Sequence, residues 1–63
     1  MKNTLYIIYK ITRMENGLVM ASETISWHRS LKDAKNVCKE NHYSWPYYYI
    51  LRKNSQGELM YKP

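Results

Sequence analysis

The dipeptide Asn16-Gly17 lies between two segments that are rich in β-branched and aromatic residues. Asn-Gly supplies the two positive-φ positions of a type I′ turn, whose twist matches that of a two-stranded hairpin. The segments from Leu5 to Thr12 and from Leu18 to Trp27 are therefore predicted to be antiparallel strands. No other local signal restricts the fold as strongly, because this one determines two strands and their pairing.

A two-residue turn also predicts the register of this hairpin. It places Lys10 opposite Glu23, Ile8 opposite Ile25, and Tyr6 opposite Trp27. Apolar side chains then occupy both faces: Leu5, Ile7, Tyr9 and Ile11 on one, and Tyr6, Ile8, Ile25 and Trp27 on the other. Since one helix can cover only one face of a sheet, we expect the other face to meet a partner, including a second copy of the chain.

The rest of the chain predicts one helix and two further strands. Ser30 followed by Asp33 has the form of a helix N-terminus, and a helix is expected from Leu31 to about Asn41. Its apolar stripe, formed by Leu31, Ala34, Val37 and Cys38, should face the sheet. A third strand should run from Tyr47 to Lys53 and a fourth from Glu58 to Lys62, joined by the turn-forming residues 54–57. The predicted fold is a single α+β domain over residues 1–63, a small antiparallel sheet of three or four strands with one helix, in the order β-β-α-β-β.

Chain length and cysteine content limit how such a domain is stabilised. A chain of 63 residues buries only about 60 % of the surface that its unfolded form exposes. Cys38 is the single cysteine, which excludes an internal disulfide and fits a reducing compartment. No signal peptide or membrane span is predicted, because Tyr9 and Lys10 interrupt the N-terminal apolar run. The expected location is the cytoplasm, and self-association is the expected source of added stability.

The sequence offers no complete set of catalytic or metal-binding groups. Cys38 and His42 are separated by one helical turn, but His28 is the only other soft ligand, and structural zinc sites take four. On the predicted core stripe, Cys38 would be an inert thiol and not a nucleophile. Four of the five acidic residues lie beside turns, at the helix start or opposite a lysine, and no two of the five are expected to converge on a cleft. Two glycines cannot form a phosphate-binding loop. We therefore expect neither an enzyme nor a cofactor.

The segment Tyr9-Lys10-Ile11-Thr12, with Asn16-Gly17 after it, resembles the opening hairpin of the GIY-YIG endonucleases. The resemblance covers about a dozen residues and implies nuclease activity only if the rest of the motif follows. It does not: Tyr6-Ile7-Ile8-Tyr9 lacks the glycine of that family, and Met20-Ala21-Ser22 stands in place of its second tripeptide. We interpret the likeness as convergent hairpin chemistry and do not assign the family.

Two surfaces are predicted to bind a partner. The chain has ten Lys and Arg against five Asp and Glu, a formal net charge of +5, and part of this excess forms a basic stripe along the helix: Arg29, Lys32, Lys35 and Lys39. The second surface is the aromatic segment from Trp45 to Lys53, where strand alternation separates Tyr47, Tyr49 and Leu51 from Tyr48, Ile50 and Arg52. Each surface has a plain alternative: the stripe is a solvated helix face, and the rings fill a core that has no Phe.

Seven Tyr and two Trp without a single Phe favour binding to another protein, since Tyr, Trp and Arg recur at interface hot spots. The leading hypothesis is a non-catalytic regulator or inhibitor that binds a larger protein, of a size typical of phage and other accessory proteins, with homodimerisation expected. Nucleic-acid binding through the basic stripe and the tyrosine-rich sheet is the alternative. The residues predicted to carry partner binding are Trp27, Tyr47, Tyr49 and Arg52, together with the four cations of the stripe.

Overall fold

Four antiparallel strands and one helix make up the computed structural model, which describes residues 3–63. In chain order they are β1 (Leu5–Glu15), β2 (Leu18–His28), α1 (Leu31–Asn41), β3 (Tyr48–Asn54) and β4 (Gly57–Tyr61). The predicted α+β class and the order β-β-α-β-β are confirmed. All four strands lie in one sheet, with the spatial order β2-β1-β3-β4.

The β1–β2 turn is the one that the sequence predicts. Asn16 and Gly17 both have positive φ, 52° and 77°, as the two central residues of a type I′ turn require. Both strands extend further than predicted: β1 ends at Glu15 and β2 at His28.

The register of this hairpin is only partly as predicted, because β2 contains a bulge at Ile25. Lys10 pairs with Glu23 as expected, but Ile8 pairs with Ser26 and Ile7 with Trp27. The predicted pairs of Ile8 with Ile25 and of Tyr6 with Trp27 are wrong. A bulge places two residues of one strand opposite one residue of the other, so every side chain beyond it changes face relative to the regular register. Trp27 therefore lies on the face of Ile7 and not on that of Ile8.

The predicted third strand was placed one residue too early. Ser44 O accepts hydrogen bonds from the backbone N–H groups of Tyr47 and Tyr48, both at 2.9 Å, which holds Tyr47 in a turn. The carbonyl of Tyr47 still accepts a bond from Ile11 N at 2.8 Å. From Tyr48 onward β3 pairs with β1 as far as Lys53, opposite Leu5. The fourth strand shows the opposite shift: it was predicted from Glu58 to Lys62, but β4, Gly57–Tyr61, starts and ends one residue earlier.

The shape of the molecule follows from unequal pairing lengths. β1 pairs with β3 only over Leu5–Lys10 but with β2 as far as Glu15. Beyond the Ile11–Tyr47 hydrogen bond, the hairpin continues as a two-stranded ribbon (residues 12–21). An 11-residue strand is about 36 Å long at about 3.3 Å per residue, which accounts for the longest of the principal extents, 38 × 27 × 15 Å.

Helix α1 begins and ends where the sequence predicts. Ser30 is the N-cap, and its Oγ accepts a hydrogen bond from Asp33 N at 3.1 Å. His42 ends the helix in the left-handed conformation, with φ 59°. Within residues 3–63, no helix is both long and apolar enough to cross a membrane.

A small core lies between α1 and one face of the sheet. Ile8 of β1 and Ile50 of β3 pair directly and are fully buried, as is Ala34 of the helix, with Cys38 beside them. Tyr6, Leu31, Val37, Tyr43 and Tyr61 pack around this cluster. The apolar stripe predicted for the helix is thus confirmed, and the face of the sheet that contains Ile8 is the helix-covered face.

Candidate functional site

The face of the sheet opposite α1 has no second layer among the described residues. Directly paired residues point to the same side of a sheet, so the pairs extending from Ile7 define this surface, which we call the open face. Its members are Leu5, Ile7, Tyr9, Ile11, Ser22, Thr24, Trp27, Tyr49, Leu51, Lys53, Glu58 and Met60. Most are apolar or aromatic.

One apolar row crosses all four strands of the open face. Trp27 of β2 pairs with Ile7 of β1, Ile7 pairs with Leu51 of β3, and Leu51 pairs with Met60 of β4. The two outer members are well exposed, Trp27 at 64 % and Met60 at 43 %, whereas Ile7 is only 5 % exposed. Large side chains on both sides, with Cβ atoms about 4.5–5.5 Å away, shield Ile7 without help from another layer.

A tyrosine pair lies next to this row and is held in place by a hydrogen bond. The rings of Tyr9 and Tyr49 are stacked, with centroids 5.2 Å apart and planes 17° apart. The hydroxyl of Tyr49 hydrogen-bonds Ser22 Oγ of β2 at 3.1 Å, across the width of β1. Because the rings are fixed before any partner arrives, little rotamer entropy is left to lose on binding.

The open face is almost free of unpaired charge. Its charged residues are Lys53 and Glu58, which pair directly across β3 and β4 with Nζ 3.9 Å from the carboxylate. Charged residues are depleted and aromatic residues and Met are enriched at the centre of protein interfaces. The open face has this composition.

The structure brings together two of the four leading site residues. Trp27 and Tyr49 lie on the open face. Tyr47 is 67 % exposed but belongs to the turn before β3. Arg52 pairs with Tyr6 and Leu59 on the helix-covered face, so it cannot share a partner surface with Trp27. Strand alternation predicted this separation of Arg52 from Tyr49, but it left open which of the two shares a face with Trp27.

Three cations of the basic stripe, Lys32, Lys35 and Lys39, lie on α1 and so on the helix-covered side of the sheet, whereas Arg29 lines a shallow depression together with Leu5 and Trp27 of the open face. Arg29, Lys32, Lys35 and Lys39 are exposed at the start and along the outside of α1. The two ion pairs of the described residues, Arg13–Glu15 and Lys53–Glu58, involve none of them. The sheet separates Lys32, Lys35 and Lys39 from the Tyr9–Tyr49 stack, so the two surfaces do not form one continuous site.

The chemistry of Cys38 is that of a core residue. Its side chain is 2 % exposed, and burial raises the pKa of the thiol above its ordinary value. His42, one helical turn away, is exposed at the left-handed C-cap. Within residues 3–63, no three His, Cys, Asp or Glu side chains lie close enough to hold a metal ion.

Sequence reasoning missed Ile7, Leu51 and Met60 as members of one surface. Alternation placed Leu51 beside Tyr49 on a single strand, but the row needs the strand order and the Ile25 bulge, and neither has a signal in one sequence. No family model, curated protein or solved structure matches this chain.

Proposed function

We propose that this chain is a non-catalytic cytoplasmic protein that binds another protein through its open face, as a regulator or inhibitor of that partner. The observation that carries the proposal is the row from Trp27 to Met60, an apolar surface across four strands that no described layer covers. Exposed apolar surfaces of this kind mark interaction sites more often than chance, because they are costly to leave in water.

The chemistry of the face favours a protein over other partners. Trp27 and the Tyr9–Tyr49 stack offer rigid aromatic area with polar edges, and Met60 offers an adaptable side chain. The neutral Lys53–Glu58 pair at its margin gives no attraction for a polyanion. The expected partner surface is a neutral, largely apolar patch, on a larger protein or on a second copy of this chain.

The test uses two neighbouring residues of β4 that lie on opposite faces. Met60 belongs to the open face, whereas Leu59 pairs with Arg52 on the other face, and their exposures are similar, 43 % and 46 %. The tagged full chain and its variants Trp27→Ala, Met60→Ala and Leu59→Ala would be used to capture proteins from a nuclease-treated lysate of the source cells. Light scattering at several protein concentrations would measure self-association in parallel.

Wild type and Leu59→Ala are expected to retain the same specific protein, or the same dimer, and Trp27→Ala and Met60→Ala to lose it. Retention of the partner by both open-face variants would rule out the open face as the binding surface. Loss of the partner by Leu59→Ala alone would place binding on the other face. A specific partner that all four proteins capture equally would contradict the proposal in the same way.

A second candidate is nucleic-acid binding by α1 alone. It is favoured by one observation, the four exposed cations of the basic stripe, none of which takes part in an ion pair of the described residues. Phosphate contacts of this kind weaken steeply with salt, because counterions are released on binding. A gel-shift titration at low and moderate salt tests this candidate, and absence of any shift at low salt excludes it.

A further inference from the structure

A polar cavity of about 220 Å³ lies on the helix-covered side of the sheet, beside the β3–β4 turn. Its lining comes from three parts of the chain: the stretch before and into β1, the end of β3, and the turn. The lining residues are Asn3, Thr4, Tyr6, Arg52, Asn54, Ser55 and Gln56. Among these described residues one is cationic and none is acidic.

The charge of Arg52 has no counter-ion among the described residues that line this cavity. Its Nε atom is buried and makes no hydrogen bond, and neither ion pair of the described residues includes it. A guanidinium stays protonated at any physiological pH and can only donate. A cavity lined by an unpaired guanidinium favours an anion. Because Nε is closed to solvent, the terminal N–H groups of Arg52 are the donors that such an anion would reach.

The β3–β4 turn directs further donors to the same place. Asn54 Oδ1 already accepts a hydrogen bond from Gln56 N at 2.8 Å. The NH₂ of the Asn54 side chain takes part in none of the side-chain hydrogen bonds of the described residues, so it can donate to a ligand. Asn3 and Gln56 bring further side-chain amides to the cavity, and Thr4 and Ser55 bring hydroxyls. The lining is therefore rich in donors.

We propose that this cavity binds a phosphate group, with the Arg52 guanidinium as the main ligand and the side-chain amides of Asn3, Asn54 and Gln56 as further donors. Donors from three segments suit a tetrahedral anion whose oxygens point in several directions, whereas a planar carboxylate would engage mainly the Arg52 fork. The volume is below the range of about 300–1,000 Å³ that encloses a drug-sized ligand. The cavity therefore holds one group, either free phosphate or the phosphate end of a larger molecule.

Backbone amide shifts of the ¹⁵N-labelled full chain would test the proposal. Inorganic phosphate, O-phosphoserine and acetate would each be added, with sodium chloride at equal ionic strength as the reference. Phosphate is expected to shift the amides of Asn3, Thr4 and residues 52–56 in a saturable way, and acetate to bind at least several-fold more weakly. Tighter binding of phosphoserine would show that the group belongs to a larger ligand, and equal binding would favour free phosphate; both results support the site.

Arg52→Lys keeps the charge but removes the planar fork of N–H donors, so we expect about tenfold weaker phosphate binding or more, the loss of one charge-assisted hydrogen bond. Lys10→Gln is the matched control: Lys10 is exposed on the same face of the sheet, pairs with Tyr48 and does not line the cavity. Its phosphate affinity should equal that of the wild type. Dispersed amide spectra of both variants would establish that they fold.

Three results would overturn the assignment. In the first, sodium chloride produces the same shifts as phosphate, so that only ionic strength acts. In the second, folded Arg52→Lys binds phosphate as tightly as the wild type. In the third, Lys10→Gln loses as much affinity as Arg52→Lys, which would mean that binding follows net charge and not the cavity.

Discussion

Ser22 and Tyr49 are joined by a side-chain hydrogen bond of 3.1 Å although β1 lies between their strands. The Tyr49 ring extends over β1 and stacks on Tyr9 along the way. This bond is the one side-chain hydrogen bond of the described residues that links β2 to β3, so it holds the hairpin and the second half of the sheet in a fixed arrangement on the open face.

Removing either end of this bond should weaken the fold slightly. We expect Ser22→Ala and Tyr49→Phe each to lower the free energy of unfolding by about 1 kcal/mol, the usual net value of such a bond. The double variant should lose little more than either single variant, because both remove the same interaction. Urea unfolding of all four proteins measures the coupling, and strictly additive losses would show that the bond contributes nothing.

Because Ile25 is the extra residue of a bulge, deleting it should leave the fold intact. Ile25 is the unpaired residue between Ser26, opposite Ile8, and Thr24, opposite Tyr9. Deleting it removes this irregularity, although the ladder keeps two more nearer the turn, and leaves Trp27 opposite Ile7. We therefore expect a folded protein that is destabilised by about 1 kcal/mol, as for an ordinary point change. Nuclear Overhauser contacts between the Trp27 indole and Ile7 should persist. In a hairpin without the bulge, the same deletion would move Trp27 to the other face and abolish those contacts.

The features of this molecule that could be predicted are those determined by residues close together in the sequence. The Asn16-Gly17 turn and the Ser30 cap are local, and both elements were located correctly from residues within a few positions. The bulge has no such signal, because Thr24-Ile25-Ser26 reads as regular strand. The regular register predicted from the sequence therefore assigned Trp27 to the wrong face of the sheet.

The order of the strands in the sheet depends on contacts between residues that are far apart in the sequence. In this order β3 lies next to β1. That arrangement creates the row through Ile7 and Leu51 and the cavity at Arg52. Neither could be read from periodicity, which describes one strand at a time. Arg52 could be predicted as opposite in direction to Tyr49, but not as a neighbour of Asn3.

Ile7 and Trp27 face each other on the open face but differ in burial, 5 % against 64 % exposed. Ile7→Ala should therefore lower the free energy of unfolding by about 2 kcal/mol, near the lower end for buried Ile. Trp27→Ala should cost about 1 kcal/mol or less although Trp is larger, because most of its surface is already in water. Chemical denaturation of the two variants makes the comparison. Equal losses would mean that Trp27 serves the stability of the free chain and not a partner.

The Ser30 cap makes a local contribution to α1. Its Oγ accepts from Asp33 N, and removing such a cap costs about 1 kcal/mol. Ser30→Ala is expected to lower the thermal midpoint accordingly. Ser55→Ala, at an exposed turn, is the control and should stay within about 0.5 kcal/mol of the wild type. The cap would be shown to be unimportant by a Ser30 variant as stable as this control.

Burial of Cys38 predicts a stability that depends on pH. Its pKa in the folded protein is raised above the ordinary value of a thiol, because burial removes the water that would stabilise the thiolate. The folded state therefore holds the thiol proton more tightly than the unfolded state. Its contribution to stability is fully present below the unfolded pKa and is lost as pH rises through the folded pKa. The stability difference between wild type and Cys38→Ala should shrink above about pH 9, as measured by urea unfolding. A difference that stays constant to pH 10.5 would show that the thiol does not titrate in this way.

The ribbon of residues 12–21 has ladder partners on one side only, since β3 stops pairing with β1 at Lys10. Two strands alone are of marginal stability in water. Amide hydrogens in the ribbon should therefore exchange with solvent through local openings, much faster than those around Ile8 and Ile50, which exchange only when the whole chain unfolds. The molecule would then have two cooperative units, and the ribbon could open, close or be cut by a protease while the rest of the sheet and α1 stay intact.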